Sequence, residues 1–312
     1  MCGIKKMRCA LLFRLGGLGD LLVSYPSISL IRKTYPLAGL TLVCREEYGA
    51  VLQEKGVVNQ IIRSDSPRLL PLFSDSGAPV DNLNEWLGQF DLIMGWMHGE
   101  RDNALENRLT AAAPPGRCRF FYYQPEMPEQ ISRFFFRKTL ESLGQDSQAG
   151  RGFEKCGLLP LDPRRAKGRK LVVVHPGSGS ERKIWPLGNF LEVINRLGQK
   201  EFKGALVTGE AEKRMEALIE KTALPLGWTW LRSPSLSMLS GLLQEADLYL
   251  GNDSGITHLA AALGTESVAL FRNDLVAPWR PYGRAILLSA PTLEEISIES
   301  VWKTISGLLR LV

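Results

Sequence analysis

Residues 11–22 read "LLFRLGGLGDLL": an apolar run breaks at Gly16, Gly17 and Gly19, meets the carboxylate of Asp20, and resumes as apolar sequence. A buried strand, a glycine turn and an apolar helix in that order open a parallel α/β unit. The pattern continues outward. Strand-like runs "LTLVC" (40–44), "FDLIMGWM" (90–97) and "RCRFFYY" (117–123) precede a helical stretch, "PEQISRFFFRKTLESLG" (128–144). Around residues 157–170 two prolines and a cluster of positive charge interrupt the apolar periodicity, as an interdomain linker does.

The pattern then restarts. "LVVVHPGSGS" (171–180), "GALVTGE" (204–210), "WTWLRS" (228–233), "ADLYLGNDSG" (246–255) and "SVALF" (267–271) each read as a strand running into a turn. Helical stretches, "PLGNFLEVINRLGQK" (186–200) and "AEKRMEALIEKTA" (211–223), lie between them, and 292–312 predicts one last helix. The expectation is an α/β protein with two Rossmann-like domains, 1–160 and 168–312, whose strand ends face a central cleft.

Composition narrows the function. The 312 residues are 45% hydrophobic with a formal net charge of +5, enough apolar content for two cores and too little charge bias for nucleic-acid binding. Cys2, Cys9, Cys44, Cys118 and Cys156 are scattered and odd in number, which fits a reducing, cytoplasmic setting. Arg14 breaks the N-terminal apolar patch, so no export signal is expected. No run reaches the roughly 18 apolar residues of a spanning helix, and any membrane contact is expected to be peripheral.

Three turns carry the chemistry. In the first, Gly16, Gly17 and Gly19 let the backbone approach a ligand, while Asp20 either caps the following helix or accepts a proton from a substrate. In the second, Ser178, Gly179 and Ser180 with Lys183 form a cradle suited to a diphosphate, or a plain glycine turn beside a solvated lysine. In the third, Asp253, Ser254 and Gly255 begin an alanine-rich helix whose N-terminus suits phosphate, or whose polar residues act only as caps. His98 and His258 read as a loop and a packed histidine ahead of any proton-transfer role. None of these turns has the dinucleotide-binding, Walker or serine-elbow spacing, and no metal-ligand spacing is present.

Taken together, "FRLGGLGDLLVSYPSISLIRKTYP" (13–36), "HPGSGSERKIWPLGNF" (175–190), "GNDSGITHLAAALGTESVALF" (251–271) and "PWRPYG" (278–283) resemble glycosyltransferase family 9, the bacterial heptosyltransferases of lipopolysaccharide core assembly. The resemblance implies a GT-B architecture with an N-terminal acceptor domain, a C-terminal nucleotide-sugar domain and a last helix that crosses back. It implies inverting, metal-independent transfer of heptose from ADP-heptose to a hydroxyl of a lipid A–Kdo or heptosylated inner-core acceptor. No cofactor is implied. The acceptor would be an anionic glycolipid met at the inner membrane.

By the same resemblance Asp20 matches the catalytic aspartate, which favours a base over a cap. Ser178, Gly179, Ser180 and Lys183 match the diphosphate site, and Asp253, Ser254 and Gly255 match the turn that contacts the donor. Glu212, or Glu210 beside it, matches an acidic position near the ribose. Two positions depart from the family pattern. Arg272 in "FRND" (271–274) replaces a glycine and is able to read a different sugar or an extra anionic group, and Gly16 and Gly17 stand where serines are frequent. A same-fold transferase using another nucleotide sugar on an O-antigen or capsule glycan is the nearest alternative, followed by a non-catalytic nucleotide-sugar-binding protein.

Overall fold

Two parallel sheets, each wound through its own helices, organise the chain. The structure is a computed structural model that describes residues 6–73, 82–99, 103–124, 126–127, 129–145, 153, 159 and 170–311. The chain divides into two compact units, 1–157 and 158–312. Apart from Leu159 and Lys170, the linker expected at 157–170 lies outside the described residues.

The first unit runs β1 (Cys9–Phe13), α1 (Leu18–Thr34), β2 (Gly39–Cys44), α2 (Glu46–Glu54), β3 (Gln60–Arg63), α3 (Leu70–Phe73), α4 (Leu83–Gly88), β4 (Leu92–His98), α5 (Asn103–Ala112), β5 (Cys118–Tyr123) and α6 (Ile131–Ser142). Its strands pair in the order β3-β2-β1-β4-β5, all parallel. Helix α1 is buried on almost every side, from Leu21 and Leu22 through Tyr25 to Ile28 and Ile31, because it lies beside α6 as well as on the sheet. One face of the sheet contributes Leu11, Phe13, Val43 and Ile93 to a core closed by Leu72, Leu87 and Leu109.

The second unit runs β6 (Leu171–His175), α7 (Leu187–Gln199), β7 (Lys203–Thr208), α8 (Lys213–Glu220), β8 (Trp228–Arg232), α9 (Leu236–Glu245), β9 (Leu248–Asn252), α10 (Gly255–Ala262), β10 (Ser267–Arg272), α11 (Asn273–Trp279), β11 (Ala285–Ala290) and α12 (Ile298–Leu309). The sheet order is β11-β10-β9-β6-β7-β8, again parallel. Val172, Val174, Leu250 and Leu270 pack with Phe190 and Ile194 of α7. The last helix buries Val301 and Ile305 in this same core, and its Glu299 pairs with Arg196 of α7 at 2.9 Å.

Among the described residues, sequence patterning finds nine of the eleven strands and misses β3 and β11. Both are edge strands: β3 is four residues long with Gln60 and Arg63 at its ends, and the apolar run Ala285–Leu288 of β11 is too short for periodicity to separate strand from helix. In both sheets the first strand of the unit, β1 or β6, sits in the middle with its second and fourth strands on either side. That point of reversal is where an open parallel sheet binds ligands beyond its strand ends.

Candidate active site

In the first unit the turn after β1 is tight because Gly16 adopts φ +124°, a conformation L side chains avoid, and a Cβ there would stand 2.6 Å from Asp20 Oδ2. Gly17 is the N-cap of α1, Gly19 lies in the first turn, and Asp20 is the third helical residue. The Asp20 carboxylate accepts the Gly17 N–H at 2.7 Å, so it does cap its helix. Its second oxygen faces Arg14 Nη2 at 3.2 Å.

Arg14 carries no functional expectation in the sequence, where it looks like an interruption in an apolar run. Its guanidinium is buried: Nε donates to the Asp20 backbone carbonyl at 2.6 Å and Nη1 to the Trp96 carbonyl of β4 at 2.6 Å. The group also lies 5.4 Å over the Phe135 ring. Burial pushes its pKa down to about 10 against the opposing pull of Asp20, so it stays charged at neutral pH. The outcome at this turn is an asymmetric pair: the Arg14 side chain is 1% exposed and that of Asp20 19%.

In the second unit, two turns meet across β6 and β9. Ser178 Oγ donates to the Asp253 carbonyl at 2.7 Å, and Asn252 Nδ2 donates to the Pro176 carbonyl at 2.7 Å. Lys183 ends a single 3-10 turn, Glu181–Lys183, that starts from Ser180, and its Nζ reaches Asp253 Oδ2 at 2.8 Å. Asp253 is 5% exposed and Lys183 30%, and Lys183 also stands 6.0 Å over the Trp279 ring. Gly179 is exposed at the tip of the turn. Ser254 caps α10 by accepting the Thr257 N–H at 3.3 Å, and Gly255 is its first residue. His258 is buried one turn on, 4.0 Å from Asp253.

Glu212 joins this group from the turn after β7. It is buried, accepts the Gly209 N–H at 2.7 Å and stands 3.9 Å from His175 Nε2, while a Cβ on Gly177 would collide with its carboxylate. Burial raises its pKa. Burial also lowers His175 to about 4, so that ring is neutral in the folded protein near pH 7. Glu210, the other acidic candidate, is exposed and pairs with Lys213 at 2.6 Å.

Of the twelve expected site residues, Gly16, Gly17, Gly19 and Asp20 lie together in the first unit. Ser178, Gly179, Ser180, Lys183, Glu212, Asp253, Ser254 and Gly255 lie at or beside the β6 and β9 strand ends of the second. Arg272 is held by its own neighbour: Nε and Nη2 bond Asp274 at 3.0 and 3.2 Å. His98 ends β4, and its side chain lies outside the described residues. Among the described residues no three His, Cys, Asp or Glu side chains gather as metal ligands do, and no helix is long and apolar enough to cross a membrane.

Residues 122–299, more than half of the chain, match the family model described as glycosyltransferase family 9 (heptosyltransferase). The chain belongs to glycosyltransferase family 9. It is therefore a glycosyltransferase, and its paired parallel sheets are those of the GT-B class. It is 22% identical to lipopolysaccharide heptosyltransferase 3 of Escherichia coli over 298 residues, 86% of this chain and 85% of that one. The family 9 glycosyl transferase of Veillonella parvula superposes with a TM-score of 0.72 at 18% identity, covering 98% of each chain. E. coli heptosyltransferase WaaC with ADP superposes at 0.71 and 17% identity, covering 96% of this chain and 99% of that one.

Proposed function

We propose that this family 9 transferase moves heptose from ADP-heptose to a hydroxyl of the lipopolysaccharide inner core, with inversion at the anomeric carbon. Asp20 takes the proton as the acceptor oxygen attacks that carbon, and ADP departs from the opposite side. Residues 1–160 bind the acceptor and 168–312 the donor. Ser178, Gly179, Ser180 and Lys183 hold the diphosphate, Glu212 lies toward the ribose, and Asp253, Ser254 and Gly255 meet the donor at the start of α10. The ammonium of Lys183 offsets charge growing on departing ADP, without a metal ion or other cofactor. The acceptor is an anionic glycolipid, met by peripheral contact at the cytoplasmic face of the inner membrane.

The observation that carries this reading is the Lys183–Asp253 pair at 2.8 Å, beside the donor-rich Ser178–Ser180 turn and the N-terminus of α10. A fixed ammonium next to backbone N–H groups and a positive helix end favours a diphosphate. The names of the relatives point to ADP and to heptose. Thermal stabilisation by ADP, UDP, GDP, CMP and their sugar conjugates tests the donor. Selective stabilisation by ADP and ADP-heptose, weakened in Lys183→Ala, is expected. Stabilisation by UDP or GDP sugars would overturn the substrate and leave the fold and the chemistry of displacement.

A further inference from the structure

The capping bond from the Gly17 N–H already orients one oxygen of Asp20 and satisfies one N–H at the start of α1. Helix stability at this turn has no need of a buried guanidinium, because an aspartate at the third helical position does the same work alone. Burying a cation for structure alone is costly, and a neutral residue of similar volume often serves as well or better. Yet Arg14 is buried to 2% exposure and commits three N–H groups to the Asp20 carbonyl, the Asp20 carboxylate and the Trp96 carbonyl.

The last of these contacts reaches across the sheet. Trp96 lies on β4, the strand beside β1 at the point of reversal, and its indole N–H donates to Thr139 Oγ1 of α6 at 2.9 Å. One end of the Arg14–Asp20 pair is therefore fixed to a buried frame of β4 and α6, and the partly exposed end is the carboxylate.

We propose that Arg14 is a positioning residue for transfer: it locks the Asp20 carboxylate from behind in the orientation that receives the acceptor proton. This rests on the reading of Asp20 as the base. The fork geometry of a guanidinium suits the task, since it fixes the carboxylate and the backbone of the same residue at once. A lysine at this position would keep the charge and lose the second contact.

A double-mutant cycle on kcat tests the proposal, with Arg14→Gln and Asp20→Asn made singly and together, and ADP stabilisation measured on every variant. The expected result is a fall in kcat on the order of 100-fold for Arg14→Gln, with ADP stabilisation unchanged, since a misplaced catalytic group costs about that much. In the Asp20→Asn background, Arg14→Gln should cost nothing further. Arg14→Lys should fall between wild type and Arg14→Gln, and it carries the same cycle if Arg14→Gln does not fold.

Wild-type kcat in the arginine variants, or the same fractional loss in the Asp20→Asn background as alone, overturns the proposal, because a merely structural arginine acts independently of the carboxylate. Wild-type kcat in Asp20→Asn would instead overturn the assignment of Asp20 itself.

Discussion

The two units end their central strands in the same way and arrange the resulting ion pairs in opposite senses. After β1 the cation is inside and the anion faces out: Arg14 is 1% exposed and Asp20 19%. Across β6 and β9 the anion is inside and the cation faces out, with Asp253 at 5% and Lys183 at 30%. Each buried partner is tied to a neighbouring strand or the turn that follows it, Arg14 to the Trp96 carbonyl on β4 and the Asp253 carbonyl to Ser178 after β6. On the proposed reading, one fold thus offers a proton acceptor from one sheet and an anion binder from the other. The difference lies in which charge of the pair the interior holds, and burial of that partner fixes the outward one in place.

The largest effects come from neutralising the outward charges. Asp20→Asn should lower the transfer rate by about 10²–10⁴-fold, the usual worth of a general base, while leaving thermal stabilisation by ADP intact. The comparison breaks if nucleotide binding falls with it. Lys183→Met should differ by acting on both steps, with ADP stabilisation weakened and the rate at saturating donor lowered as well, because the ammonium offsets charge on departing ADP. Calorimetric titration with ADP separates the two outcomes.

Acid sensitivity should belong to the second unit. His175 binds its proton at about pH 4 in the folded protein and near the ordinary 6.5 when unfolded. Between those values the unfolded chain holds more protons, so this residue's contribution to stability is present above pH 6.5 and lost as pH falls toward 4. The loss amounts to about 3 kcal/mol at most. Denaturation of wild type and His175→Gln from pH 7 to 4 should therefore converge at low pH. Parallel curves would remove the histidine from the account. Arg14 adds no such dependence, because its pKa of about 10 keeps it charged throughout this range.

Gly16→Ala should destabilise the protein by about 1–3 kcal/mol, since φ +124° is strained for any side chain and the new Cβ would press on the Asp20 carboxylate. Transfer should fall with it, in contrast to Gly179→Ala, where a Cβ meets open space. The smallest effect is expected at Arg272→Gly. A half-buried arginine paired with its exposed near neighbour Asp274 contributes about 0–1 kcal/mol, and the preference among nucleotide sugars should not change.

Much of this was legible in the sequence for local reasons. Central strands read as apolar runs, and Gly16, Gly177 and Gly179 mark turns because glycine is the residue that allows close approach. Asp20, Lys183 and Asp253 stand out as charged residues at those turns. Arg14 did not, since a charge inside an apolar run carries no sign of its partner. Glu212 was visible only through resemblance, and its burial beside His175 depends on β7 lying next to β6. Strand β3 escaped because polar residues bound its four-residue run, and β11 because its short apolar run suits a helix equally well.

By itself, then, the sequence determined two α/β units, the order of nine of their strands along the chain, and the residue types at each turn. These follow from hydrophobic periodicity and glycine placement, which act over a few neighbouring residues. Only the tertiary structure decided which charges are buried and which face outward. Strands β1 and β4, like β6 and β9, are distant in sequence and adjacent in the sheet, so the partners that desolvate Arg14 and Asp253 meet only once the sheets have formed.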